Sequence, residues 1–292
     1  MKLLNRSEEI TFDILSGAVS DVDARVFPKV RVADTVPLNN SGISNELFTY
    51  GLQAHFDFVV TDGEYEPLFA VEYDGPLHLT SKIQRERDQK KNAICKHFDF
   101  SILRINSRYI NRKYQGIDLL SYFVDVWFLA DAFHEAQRNG GIPYDEIFDP
   151  CFIMSSGSSN KRWPYWLSRE AQVEIQNMHK TGVVHNYIPS HWTGLDENEA
   201  YRSLAWLEVK PKTFLFTQTG MQHQVFPAYF SDVLFQISVL DLRKRLDEFL
   251  RDPSIAVGWD EIQPVYENYK SNFKMMECGG GGYADVPGPN AT

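Results

Sequence analysis

The sequence predicts an α/β fold, a mixed sheet flanked by helices, followed by a mainly helical α+β C-terminal region. Three observations lead there. Two runs of period 2, HFDFVV from residue 55 and LFAVEYD from residue 68, stand either side of the turn dipeptide Asp62-Gly63, which is the pattern of a paired antiparallel hairpin. The basic stretch IQRERDQKKNAICKHF has helical spacing and is followed by the apolar run SILRIN, so strand, strand, helix and strand follow in order. Beyond residue 114 the text changes to long helical periods separated by turn-rich loops.

Taken in order, Arg6–Ala18 reads as a short helix begun by Ser7. RVFPKVRVADTV reads as a strand interrupted by Pro28, hence an edge or bulged one, because proline cannot donate to a ladder. PLNNSGISNE is a turn-rich loop with no assigned chemistry, placed where it can lie over a groove. In the hairpin, Phe56, Phe58 and Val60 alternate with Asp57 and Val59, and Phe69, Val71 and Tyr73 alternate with Ala70, Glu72 and Asp74. Asp57, Glu72 and Asp74 are therefore expected on one sheet face. Like charges opposed across a ladder are destabilising and costly to bury unless a cation gathers them, and a hard divalent ion bound by oxygens supplies that cation. The alternative is a solvated face of an edge hairpin.

Gly75-Pro76 ends the second strand, His78 stands four residues after Asp74, and Thr80 or Ser81 is placed to cap the helix. On that helix Asp88 and Lys91 are three apart and Arg87 and Lys91 four apart, so they project onto one surface. Ile83, Ala93, Ile94 and Phe98 are expected to supply its apolar side, and Arg104 ends the strand that follows.

These elements stand as Asp57-Phe58-Val59, then Glu72-Tyr73-Asp74-Gly75-Pro76-Leu77-His78, then Arg87-Asp88-Gln89-Lys90-Lys91-Asn92, then Leu103-Arg104-Ile105. In order and spacing the chain resembles the PD-(D/E)XK nuclease superfamily over about residues 7–110. Within it, the branch it is similar to holds the very-short-patch repair endonucleases and related uncharacterised bacterial domains. The resemblance implies a restriction-endonuclease-like fold and a Mg2+ site, with Mn2+ able to substitute, held by Asp57, Glu72 and the backbone carbonyl of Tyr73. It implies catalytic roles for Asp57, Glu72, Asp74, His78 and Lys91. The supporting glutamate of the first helix is best matched by Glu9, with Glu8 as the near alternative. One departure stands out: the superfamily has a lysine two residues after the glutamate, and here that position is Asp74. Lys91 or Lys90 is the natural replacement, and His78 the other candidate to orient water. Arg87, Lys90, Arg104 and Arg108 are expected to meet nucleic-acid phosphates, although pairing of Arg104 with Asp88 or Glu72 is the plainer alternative. The products implied are a 5'-phosphate and a 3'-hydroxyl.

The chain has 292 residues, 43% of them hydrophobic, enough for one large core or two modest ones. The opening MKLLNRSEEI lacks a long apolar run, and LLSYFVDVWFLADAF contains two aspartates and is too short to span a bilayer. No membrane segment is expected. Cys95, Cys151 and Cys278 lie far apart without a CxxC pair, which argues against a disulfide framework or zinc site and favours a reducing cytoplasm. A net charge of -10 argues against a protein that coats nucleic acid through a whole-body field. Yet residues 82–118 hold ten bases against four acids, interleaved with Tyr109 and Tyr114, a plausible phosphate track.

Residues 115–138 are expected to form a long amphipathic helix ended by Gly140-Gly141, and FIMSSGSSNKRWP a polar linker, with a domain boundary between 140 and 162. SREAQVEIQNMHK and NEAYRSLAWLEV read as helices, TFLFTQTG and HQVFPAYF as a hairpin, and SDVLFQISVLDLRKRLDEFLRD as a capped amphipathic helix. GGGGYADVPGPNAT reads as a disordered or partner-bound tail. His179, His185 and His191 are spaced six apart, which fits no zinc pattern. The organisation expected is a nuclease-like domain at 1–114, a connecting helix at 115–150, a substrate- or partner-binding region at 151–278 and a flexible tail at 279–292.

Three functions follow. The first is a Mg2+-dependent endonuclease acting on DNA, with RNA the other polymer, in bacterial repair, restriction or anti-phage defence. The second is a nuclease fold without activity, serving as a nucleic-acid-binding or assembly module. The third is a protein-interaction subunit working through its C-terminal half, by a partner protein or a second copy.

Overall fold

The computed structural model describes residues 3–75, 82–114, 116–152 and 165–280. The chain divides into two compact units, Met1–Pro150 with Gln224–Ala228, and Cys151–His223 with Tyr229–Thr292.

The first unit runs α1 (Arg6–Ala18), β1 (Ala24–Arg31), α2 (Asn45–Gln53), β2 (His55–Asp62), β3 (Pro67–Tyr73), α3 (Lys82–His97), β4 (Ser101–Ile105), α4 (Ser107–Asn111), β5 (Lys113–Tyr114), β6 (Ile117–Asp118) and α5 (Leu119–Arg138). Its main sheet has four strands in the order β1-β2-β3-β4. The first two pairings are antiparallel and the β3–β4 pairing is parallel, so α3 makes the crossover that a parallel pair requires. The unit is thus an α/β fold with a mixed sheet.

Local chemistry explains the element ends. The Asn5 side chain accepts from the Glu8 amide while Glu8 reaches back to the Asn5 amide, a reciprocal cap for α1. Ser44, inside the turn-rich loop, caps α2, a helix not expected from the sequence, and Asp118 caps α5. The β2–β3 turn is held by the Asp62 carboxylate, which accepts from the Glu64 and Glu66 amides at 2.9 and 2.8 Å. A Cβ on Gly63 would run into the Asp23 carboxylate. β1 is an edge strand, as Pro28 demands.

Phe12 of α1 packs on Phe58 and Trp127 of α5 on Phe69, with ring centroids 6.3 and 4.9 Å apart. On the α3 side, Val59, Ala70 and Ile102 join Ile94 and Cys95 in a buried cluster. Each fully buried Phe or Ile here is worth roughly 1.5–3 kcal/mol. The buried face of α3 is Lys91, Ile94 and Cys95, which corrects the expected apolar side: Ile83 and Ala93 are exposed.

The second unit contains α6 (Arg169–Lys180), β7 (Ser190–Leu195), β8 (Tyr201–Lys210), β9 (Thr213–Met221), α7 (Phe230–Arg251), α8 (Trp259–Asn272) and β10 (Lys274–Gly279). Its sheet has four antiparallel strands in the order β10-β7-β8-β9. The region is thus α+β, with the segment expected as the helix NEAYRSLAWLEV corrected to a strand of this sheet. Tyr201–Lys210 is a strand because it is covered on both faces. Leu204 and Trp206 pack with Ile262 and Tyr266 of α8, and Ala205, Leu207 and Val209 with Leu242 and Leu246 of α7. A strand buried on both faces shows no polar alternation and is read easily as a helix. β9 pairs with β8 and not with the following segment; Gln224–Ala228 belongs to the first unit, where Val225 bridges Ile102. Trp192, Trp206 and Trp259 form aromatic core, with Trp206 and Trp259 centroids 5.6 Å apart. The linker at 153–164, including Trp163, and the tail at 281–292 lie outside the described residues. No helix among the described residues is long and apolar enough to cross a membrane.

Candidate functional site

A row of charge crosses the first sheet. Glu72 of β3 is registered opposite Arg104 of β4. Asp57 lies next to the Phe58–Val71 pair on β2, and its amide donates to Glu72 Oε1 at 3.2 Å. Lys29 of β1 falls between the Pro28–Phe58 and Val30–Phe56 pairs, alongside Asp57. The order across the strands is therefore cation, carboxylate, carboxylate, cation.

Each carboxylate is gripped. Asp57 Oδ1 accepts from Lys29 Nζ at 2.7 Å and Oδ2 from the Tyr73 amide at 3.0 Å. Glu72 is 4% exposed, and its Oε1 accepts from Lys91 Nζ at 2.7 Å. Lys91, 7% exposed, also donates to the His55 carbonyl at 2.8 Å. Arg104 Nη1 meets Asp74 at 3.1 Å and Asp88 at 3.2 Å, while its Nε and Nη2 donate to Asn92 Oδ1 at 3.1 and 3.0 Å. On the open side Lys29 Nζ donates to Glu8 Oε1 at 2.6 Å.

Burial pushes the Glu72 carboxyl above its usual range, with Asp57 adding to the shift and Lys91 and Arg104 opposing it. Burial opposes the charge on Arg104, but Asp74, Glu72 and Asp88 outweigh it and raise the guanidinium further. Burial likewise works against the Lys29 ammonium, and Asp57 and Glu8 overcome it. Among the described residues, Glu8, Asp57, Glu72, Asp74 and Asp88 are joined in this network by Lys29, Lys91 and Arg104.

A cleft of about 380 Å³ opens beside Lys91, lined by Tyr50, Gln53, Ala54, His55, Gln84 and Arg87. Tyr50 donates its hydroxyl to the Arg87 carbonyl at 2.9 Å. Its phenol is pushed up to about 12 by burial and by Glu72 and Asp88.

The structure thus brings Asp57, Glu72, Asp74, Lys91 and Arg104 together. Arg104 is corrected from a surface phosphate ligand to a buried clamp, because three acceptors surround it and 5% of it is exposed. Arg87 is exposed at the cleft. Lys90 pairs with Glu46 at 2.7 Å, and Arg108 on α4 donates to the Tyr114 hydroxyl at 3.3 Å. Of the two helix glutamates, Glu8 is linked to Asp57 through Lys29, and Glu9 is half-buried on the same helix. His78 lies outside the described residues. Sequence reasoning missed Lys29, Asn92 and Tyr50. For Lys29 a signal existed: it directly follows the strand-breaking Pro28.

Among the described residues no three His, Cys, Asp or Glu side chains already converge on one point. The donor chemistry nonetheless fits a hard cation. Glu8 Oε1 and Asp57 Oδ1 converge on a single ammonium at 2.6 and 2.7 Å. Carboxylate oxygens are the donors that Mg2+ or Mn2+ prefers.

A family model described as a protein of unknown function, DUF2726, matches residues 1–120. That segment carries all of the network. No curated protein and no solved structure matches the chain.

Proposed function

We propose that the first unit is a Mg2+-dependent endonuclease of the PD-(D/E)XK type that hydrolyses phosphodiester bonds in DNA. The observation that supports this is the opposition of Asp57 and Glu72 on neighbouring strands, with the Lys91 ammonium 2.7 Å from Glu72. Asp57, Glu72 and the Tyr73 carbonyl would hold the ion. When bound, Mg2+ polarises a phosphoryl oxygen and acidifies a bound water. The chain's own groups do the rest. The Tyr73 amide aims Asp57, and Lys91 holds Glu72 in place and offers a positive charge where phosphate charge develops. Arg104 neutralises Asp74, the residue standing in the superfamily's lysine position, so Lys91 takes over as the site's ammonium. Arg87 and the cleft beside Lys91 receive the substrate backbone. A role in bacterial repair, restriction or anti-phage defence is what the resemblance brings with it, and the separated cysteines favour a reducing cytoplasm.

The test is cleavage of supercoiled plasmid, single-stranded DNA and RNA in Mg2+, Mn2+ or EDTA by wild type, Asp57→Ala and Glu72→Ala. Metal-dependent cleavage lost in both variants supports the reading. A second reading, a nuclease fold that binds nucleic acid without cutting it, draws on Lys29 lying between Glu8 and Asp57. Metal-independent binding with no cleavage in any condition would favour it.

A further inference from the structure

Lys29 occupies an unusual position for a lysine. It lies within an edge strand, directly after Pro28, with φ 56 in the left-handed region. L-residues with a Cβ avoid that region, and when one is held there the surrounding structure is enforcing it. At the end of that side chain the ammonium stands 2.6 Å from Glu8 Oε1 and 2.7 Å from Asp57 Oδ1. It is also the most accessible of the three cations in the network. The Lys29 side chain is 40% exposed, against 9% for Lys91 and 6% for Arg104. Lys91 and Arg104 are enclosed by their partners; the Lys29 stem reaches in from solvent and can withdraw to it.

We infer that Lys29 is a resident counter-ion of Glu8 and Asp57, whose ammonium a divalent cation must displace. The inference rests on the reading of Asp57 as a metal ligand. A metal bound to Asp57 Oδ1 at the ~2.0–2.1 Å of a Mg2+–oxygen bond and an ammonium at hydrogen-bond distance from the same oxygen compete for one position. The two ions also repel each other. The chain therefore holds its carboxylates in register without metal, and metal binding is weakened by the lysine until a substrate phosphate draws the ammonium away.

The experiment is Mn2+ titration of the full chain, followed by calorimetry and by the paramagnetic resonance of free Mn2+. Wild type is compared with Lys29→Gly, Lys29→Arg and Asp57→Asn. Glycine suits the left-handed backbone, so Lys29→Gly removes the ammonium without adding strain. Lys29→Asn, which also tolerates that region, carries the test should the glycine variant unfold. The expected result is Mn2+ affinity raised roughly tenfold in Lys29→Gly, the scale of one neighbouring charge, unchanged in Lys29→Arg, and lost in Asp57→Asn. Affinity equal to or below wild type in Lys29→Gly, with binding still dependent on Asp57, overturns the role of Lys29 and leaves the metal site standing. An equal gain in Lys29→Arg overturns it too, since the charge is then not the cause. Mn2+ binding by neither wild type nor Lys29→Gly overturns both the inference and the metal reading beneath it.

Discussion

The side-chain amide of Gln224 pairs with both backbone groups of Arg104: Oε1 accepts from the Arg104 amide at 2.8 Å and Nε2 donates to the Arg104 carbonyl at 2.9 Å. Gln224 thereby acts as one residue of a further strand along β4, next to the Ile102–Val225 bridge. The pairing closes an edge that would otherwise expose unpaired amides, and it fixes the strand position from which Arg104 reaches Asp74 and Asp88.

Gln224→Ala orphans a buried amide and a buried carbonyl. A loss of roughly 1–3 kcal/mol in unfolding free energy is expected, read by urea denaturation of the full chain. Gln224→Glu keeps the acceptor and loses the donor, and is expected to fall between the two. A Gln224→Ala variant as stable as wild type would show that water replaces the amide there.

Removing Arg104 leaves Asp74 and Asp88 facing each other without their shared cation. Arg104→Met is expected to lose about 3–5 kcal/mol, as when one partner of a buried pair is deleted. Arg104→Lys recovers only part, because a single ammonium cannot reach Asp74, Asp88 and Asn92 with the fork of a guanidinium. Thermal unfolding at neutral pH measures both.

Cleavage, if the proposed activity holds, is expected to fall by roughly a hundredfold or more in Asp57→Ala and in Glu72→Ala. Retention of DNA by either variant is expected to stay within a few-fold of wild type, by mobility shift in EDTA. A parallel loss of binding and cleavage would place these acids in folding and not in chemistry.

Burial in the α3 cluster pushes the Cys95 thiol up to about 12. The sign follows: between its ordinary value near 9.0 and about 12 the unfolded chain ionises while the folded chain keeps its proton, so this group's contribution to stability is present below that window and is lost as pH rises through it. At pH 8 Cys95 is expected to resist a disulfide reagent until the first unit unfolds, whereas the half-buried Cys278 reacts in the native state. Peptide mapping after labelling distinguishes them.

A Cβ on Gly194 would lie 2.6 Å from the Trp192 ring and 2.7 Å from the Lys274 carbonyl. Gly194→Ala is therefore expected to force β7 and β10 apart and cost roughly 1–3 kcal/mol. Trp fluorescence during denaturation reports it.

Much of the first unit was legible because its signals are local. Alternation through residues 55–60 and 68–74, the Asp62-Gly63 turn and the spacing of Asp88 and Lys91 on one helix face depend only on neighbours in the chain. They placed Asp57, Glu72 and Lys91 on adjoining elements, and the interaction of Lys91 with Glu72 followed once α3 crossed back onto the sheet. Pro28 alone marked β1 as an edge strand. By contrast, the strand Tyr201–Lys210 was hidden by burial on both faces, since a helix packed on either side erases the polar alternation that identifies a strand.

What the sequence determined by itself was therefore the order strand, strand, helix, strand in the first unit and the placing of Asp57, Glu72 and Lys91 on those elements. Only the tertiary structure decided how their charges are balanced. Lys29 meets Asp57 from 28 residues away, Lys91 meets Glu72 from 19, and Gln224 holds Arg104 from 120. Ion pairs and amide clamps of this kind depend on which side chains the packed core brings within about 3 Å, and no periodicity along the chain encodes that distance.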